Sequence, residues 1–232
     1  KATGKKLDQQ VFMGEFPMIT DNGTFIINGV ERVVVSQLTR SEGVFFVGET
    51  DPDTGERLAG AKVLPKNGAW LEFETAKTGF ITVRIDRRRR LAVTTLLRLF
   101  GLESEKDIRD AFTNVDTDPD HSYISETLKR ETTASYDEAI LEVYRRIRPG
   151  DPLILENARQ VVEGVFFNPR RYSLGKVGRF KMQKRLAVEI PELTKKNRVL
   201  CVEDLVRIIR YIISLNSDPE ATGDDIDHLG NR

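Results

Sequence analysis

Along the first third of the chain, apolar residues alternate with polar ones in short runs, and after it they recur at helical spacing. Thr24-Phe25-Ile26-Ile27 and Val30 to Val35 are β-branched or aromatic runs joined by Asn28-Gly29, a pair that accepts positive φ, so a hairpin is predicted there. A turn at Asp21-Asn22-Gly23 leads into it, and residues 11 to 46 as a whole read as β structure. Val44 to Val47, Ala61 to Leu64, Trp70 to Phe73 and Phe80 to Ile85 follow as further strands, with a turn at Asp51-Pro52-Asp53-Thr54-Gly55. Leu91 to Phe100 changes period and stops at Gly101, as a short helix would.

Most of the remainder reads as helix. Ser135 can cap a first turn with Glu138 answering three residues later, and Ile140, Val143, Tyr144 and Ile147 follow on one face until Pro149-Gly150 ends the run. Residues 154 to 166 (Ala158, Val161, Val162, Val165) and 203 to 215 (Leu205, Ile208, Ile209, Ile212) repeat the pattern. Residues 168 to 200 read as short mixed segments, and the chain turns polar from Ser217. Sheet followed by helix gives an α+β class: a mixed, mostly antiparallel sheet region and then a helical region.

Charge narrows the function. The 232 residues carry 36 Lys and Arg against 36 Asp and Glu, which removes a uniformly basic nucleic-acid tail. Only His121, His228 and Cys201 could serve as base or nucleophile, none in a recognisable motif, so a self-sufficient hydrolase is not expected. Cys201 lies in an apolar run, which predicts a reduced, buried thiol and a cytoplasmic setting; Lys1, Lys5, Lys6, Asp8 and Glu15 argue against a signal peptide. The opening Lys1-Ala2-Thr3-Gly4 lacks an initiator methionine and suggests a piece of something longer. Asp224, Asp225 and Asp227 read as an acidic solvated turn, or as oxygen ligands for a hard cation. Arg84 and Arg87 to Arg90 close a strand, either as a solvated run paired with acids or as a phosphate contact. Trp70 is either a core side chain or an indole that stacks a nucleobase.

Five segments carry a resemblance. They are Val11 to Gly29 with Glu31 to Leu38, Asn67-Gly68-Ala69-Trp70-Leu71-Glu72-Phe73, Val83 to Arg90, Ile147-Arg148-Pro149-Gly150-Asp151-Pro152, and Asp224 to Arg232. Together they resemble the β subunit of bacterial DNA-directed RNA polymerase, in that family's order and across nearly the whole chain. The match is to a part of it, the lobe domain with the adjoining edge of the protrusion: residues 1–35 as the protrusion edge, 36–223 as the lobe, 224–232 as a return segment.

The resemblance implies a wall that faces downstream DNA and the separated non-template strand, docks transcription factors, and makes no phosphodiester bond itself. A nucleotidyltransferase results only with the other polymerase subunits (α, β′ and sigma factor). No cofactor is expected in this piece, and magnesium is expected elsewhere in the enzyme. By motif, Trp70 corresponds to a tryptophan that stacks an unpaired non-template base, and Asp227 to an aspartate that reads an extruded guanine. Arg40, Arg148 and Arg232 correspond to arginines of the same pocket, and Arg87 and Arg88 to a basic turn facing downstream DNA. Val35 and Gln37 border the family's rifamycin pocket, whose other parts are missing. Lys6, Leu7 and Asp8 align with an edge used by accessory factors. Such a subunit works in the bacterial cytoplasm, at the nucleoid. Glu42 departs from the family's usual proline in Arg40-Ser41-Glu42-Gly43, and the lobe is short, without the large insertions that some members of the family carry. The rival reading is a stand-alone protein-interaction domain that does not touch nucleic acid.

Overall fold

The computed structural model describes residues 8–50, 52–53, 55, 57–117, 122–187, 194, 196–218, 223–224 and 229–231. The chain divides into two compact units, Lys1–Thr39 with Asn231–Arg232 and Arg40–Gly230.

In the first unit, β1 (Phe25–Ile27) and β2 (Val30–Arg32) pair antiparallel with Ile27 opposite Val30. Asn28 (φ 53°) and Gly29 (φ 74°) form the two-residue turn that the strand twist favours, as their identities predict. The lead-in turn is also present, with the Gly23 N–H donating to the Thr20 carbonyl at 2.9 Å. The broader β reading does not hold. Residues 11–18 and 33–37 have no regular structure. Strand propensity needs a neighbouring ladder to satisfy the backbone, and among the described residues these stretches have none.

The second unit begins with a five-stranded antiparallel sheet in sequential order. Its strands are β4 (Gly43–Thr50), β5 (Arg57–Leu64), β6 (Leu71–Thr75), β7 (Ile81–Ile85) and β8 (Leu91–Ala92). Phe46, Ala61, Phe73, Val83 and Leu91 lie in register across it and are all buried. The small Ala61 leaves room for the rings on either side. Gly60 is required at its position, because a Cβ there would lie 2.5 Å from the Phe73 carbonyl. The alternate residues Lys62, Glu72, Glu74 and Arg84 are only partly buried and belong to the opposite face, as a two-residue period demands.

Among the described residues seven α-helices follow: α1 (Val93–Leu99), α2 (Glu105–Phe112), α3 (Tyr123–Lys129), α4 (Tyr136–Ile147), α5 (Leu155–Phe166), α6 (Gly175–Leu186) and α7 (Val202–Ser217). α1 and α3 pack on β7, α6 and α7 on β4, and α7 on β5, while α4 packs on α1 and carries α5. Ser135 caps α4 by accepting the Glu138 N–H at 3.3 Å; the Glu138 carboxylate reaches back to the Ala134 N–H at 2.7 Å, one residue earlier than a standard capping box. The last strand, β9 (Leu229–Asn231), pairs with β3 (Leu38–Arg40) in a two-stranded sheet.

Two expectations are corrected. Residues 168–200 do not hold only short segments, since α6 runs for twelve residues. Its buried face combines Gly175, Gly178 and Met182 with a fully buried arginine, Arg179, so no apolar stripe marks it. The arginine is tolerated because its Nη1 donates to Asp204 Oδ1 at 2.6 Å, while Asp204 Oδ2 accepts the Cys201 N–H at 2.9 Å. Cys201 itself is exposed, not buried. It occupies the N-cap of α7, one residue before the helix and four before Leu205, where the periodic apolar face begins.

Candidate nucleic-acid interface

Trp70 stands at the entrance to β6. Just before it, Gly68 adopts φ 117° against Tyr172, where a Cβ would meet the ring at 2.6 Å. The neighbouring Asn67 is bridged to Ser173 in both directions, at 3.1 and 2.9 Å. The tryptophan backbone is then clamped by one residue at the end of β7. Its N–H donates to Asp86 Oδ1 at 2.7 Å, and its carbonyl accepts the Asp86 N–H at 2.9 Å. The indole is half-buried.

Asp86 (φ 48°) and Arg87 (φ 58°) are consecutive left-handed residues in a turn closed by the Arg88 N–H on the Ile85 carbonyl at 3.0 Å. Such a turn prefers Asn-Gly, and each L-residue with a side chain held there costs about 1–2 kcal/mol. The strain aims two side chains at one spot. Asp86 locks the Trp70 backbone, and the Arg87 guanidinium lies 5.5 Å from the centroid of the indole ring. Arg87 remains largely exposed, with Glu72 at 3.9 Å as a weak counter-charge.

Arg88 turns the other way. Its Nη1 donates to the Ile147 carbonyl and, at 3.4 Å, to the Arg146 carbonyl. It therefore satisfies the C-terminus of α4, where a cation complements the helix dipole. That contact ties the Trp70 turn to Arg148, which follows α4, is exposed, and has Asp151 at 3.6 Å. Arg84 and Arg90 both pair with Glu74, at 3.1 and 2.6 Å. Arg89 is exposed and without a carboxylate partner among the described residues.

The structure thus brings together Trp70 and Arg87, while the Arg88 guanidinium is spent on the end of α4, next in sequence to Arg148. Arg40 is exposed in β3, and the residues after it are anchored on α6: Lys181 Nζ donates to Ser41 Oγ at 2.6 Å, and Glu42 seats against Gly175 and Gly178. Small residues on α6 accommodate the Glu42 side chain. Val35, Gln37 and Asp8 are exposed in the other unit. Asp227, Arg232, Lys6, Leu7, Asp225, His121 and His228 lie outside the described residues. Asp224 is committed elsewhere, to Arg185 at 2.8 Å and the Phe46 N–H at 2.9 Å. Among the described residues no group of three or more His, Cys, Asp or Glu side chains gathers as a metal site. Sequence reasoning missed Asp86. An aspartate between a strand and an arginine run was the available signal, since Asp tolerates the left-handed region better than most residues.

A family model described as RNA polymerase Rpb2, domain 2, matches residues 40–232. The chain belongs to this family. Its curated relatives include proteins named DNA-directed RNA polymerase subunit beta from three bacteria. The Chloroflexus aggregans protein is 45% identical over 258 aligned positions, covering 99% of this chain and 21% of the relative. The Gloeobacter violaceus protein is 45% identical over 232 positions, covering 100% and 20%. The Dehalococcoides mccartyi protein is 46% identical over 234 positions, covering 100% and 18%. The chain spans about a fifth of the length of these relatives. Arg40, Trp70, Arg87, Arg88 and Arg148 fall inside the Rpb2 domain 2 match, whereas Val35 and Gln37 precede it.

Proposed function

We propose that this chain is a segment of the β subunit of a bacterial DNA-directed RNA polymerase, and that it forms part of the wall contacting downstream DNA and the separated non-template strand. The observation that supports this most is the strained turn at Asp86-Arg87, which holds a half-buried indole under a guanidinium at a surface edge. A core tryptophan would need neither the strain nor the cation. An unpaired base stacking on Trp70 gains about 1–3 kcal/mol, and Arg87 can swing from the ring to the adjoining phosphate.

In this reading Asp227 accepts the N1–H and N2–H donors of an extruded guanine, a pairing that adenine cannot offer. Arg40, Arg148 and Arg232 line the same pocket, and the basic turn that carries Arg87 and Arg88 faces the downstream duplex. Bond formation and its magnesium belong to other parts of the polymerase, assembled with the α, β′ and sigma subunits, in the cytoplasm at the nucleoid. The edge at Lys6, Leu7 and Asp8 takes accessory transcription factors, while Val35 and Gln37 border a rifamycin pocket completed by the rest of the subunit.

The test is Trp70→Ala and Asp227→Ala in an assembled polymerase. Open-complex lifetime and pausing change, while nucleotide addition on a preformed scaffold continues. Loss of all bond formation, or unaltered start-region behaviour, would overturn the reading. The protein-interaction alternative separates by salt: a contact through Arg87 and Arg88 weakens steeply as salt rises, and an apolar protein contact does not.

A further inference from the structure

A second arginine cluster lies beside β8 and shares no side chain with the Trp70 site, although Arg88 donates to the Arg146 backbone carbonyl. A cavity of about 230 Å³ is lined by Arg90, Arg130 and Arg146, with Phe80, Thr132 and Glu142 among its walls. Its three guanidinium groups come from three places in the fold: Arg90 before β8, Arg130 at the end of α3, and Arg146 in the last turn of α4.

They are held but under-used. Arg130 lies 5.2 Å from the centroid of the Phe80 ring, and no carboxylate pairs with it among the described residues. Stacking fixes the guanidinium plane while leaving its edge donors available. Arg146 gives Nη2 to Glu142 at 2.6 Å, yet its Nε is buried with no hydrogen-bond partner. A buried donor left unmade costs about 1–3 kcal/mol, so this one calls for an acceptor. Arg90 gives one nitrogen to Glu74 at 2.6 Å, a carboxylate already shared with Arg84, and Glu142 is likewise shared with Arg145 at 3.5 Å.

We infer that this cavity binds a phosphate group. Cations outnumber carboxylates in its lining, and guanidinium forks arriving from three elements match the several oxygens of a tetrahedral anion better than the two oxygens of a planar carboxylate. The Thr132 hydroxyl supplies one more donor. The volume admits a phosphate or pyrophosphate with its waters, or one phosphodiester of a passing strand. This inference does not rest on the reading of Trp70.

The test is a titration of the ¹⁵N-labelled 232-residue chain, following the arginine Nε–H signals, with pyrophosphate in one arm, a short oligothymidine in another, and sodium chloride at matched ionic strength as reference. Movement of the Arg146 signal beyond the chloride response, weakened about fivefold or more by Arg130→Gln and less than about twofold by Arg89→Gln, upholds the site. Both variants remove one charge from an exposed side chain, so the fold is not at stake. A response to pyrophosphate identifies a free phosphate compound as the source, and a response to the oligonucleotide alone identifies a strand backbone. No Arg146 response above chloride in either arm, or equal weakening by the two variants, would overturn the inference.

Discussion

Residues 8–39 and residues 40–230 use similar side chains to opposite ends. In the first, Phe12, Phe16 and Val34 are 81%, 92% and 79% exposed; in the second, Phe46, Phe73 and Val83 are 0%, 1% and 0% exposed. Both stretches have β-forming composition. The difference is the company each strand keeps, because β4 to β8 find neighbours within a few dozen residues and helices to cover them, whereas the short hairpin β1–β2 has a single partner strand. A two-stranded hairpin is marginal alone, and exposed apolar surface of this kind is the mark of an interface.

The sharpest way to test that contrast is to truncate one phenylalanine from each region. Phe73→Ala opens a cavity in the sheet core and lowers unfolding free energy by about 3–5 kcal/mol in a denaturant titration. Phe16→Ala changes it by less than about 0.5 kcal/mol. Equal losses would mean that the first region packs as a core does.

Asp204→Ala probes the same core through charge. It strands Arg179, 1% exposed at its side chain, without its carboxylate, and costs about 3–5 kcal/mol by the same measurement. A loss near that of an exposed ion pair, below about 1 kcal/mol, would mean that water reaches the guanidinium.

A smaller effect, of opposite sign, is expected at the Trp70 edge. Arg87→Gly relieves one left-handed side-chain residue and raises stability by up to about 1 kcal/mol, while removing the cation over the indole and weakening single-strand binding. A substitution that stabilises the fold and impairs the site would identify the strain as functional. If stability fell instead, the Arg87 contacts would be structural.

The smallest effect is a rate. Partial desolvation, followed by the Asp204 carboxylate, pushes the Cys201 thiol pKa up from its ordinary value. The folded chain therefore holds the thiol proton more tightly than the unfolded one. The stability this contributes is full below the unfolded thiol's pKa and is lost as pH rises through the folded value. Iodoacetamide labelling of native protein should reach half its maximal rate at a higher pH than labelling in denaturant. Coincident profiles would show that the thiol is as freely solvated as it is in the unfolded chain.

Much of this molecule was legible without coordinates, and the part that was not has a common cause. Asn28-Gly29, the strand-like run from Trp70 to Phe73 and the Ser135 cap act through backbone preferences and spacings a few residues long, so reading along the chain suffices. The motifs around Trp70 and Arg87 could likewise be matched to a family by their order alone. The α6 helix escaped notice because its buried arginine is acceptable only opposite Asp204, 25 residues further on.

The sequence by itself therefore determined most of the strand and helix periods, the Asp21-Asn22-Gly23 and Asn28-Gly29 turns, and the family. Only the tertiary structure decided that Cys201 faces outward, that Asp86 clamps Trp70 from across a hairpin, and that Arg90, Arg130 and Arg146 share one cavity. Each of these depends on which distant residues supply a carboxylate, a ring or a carbonyl. Local spacing carries no information about such partners, because desolvation and charge pairing act through space and not along the chain.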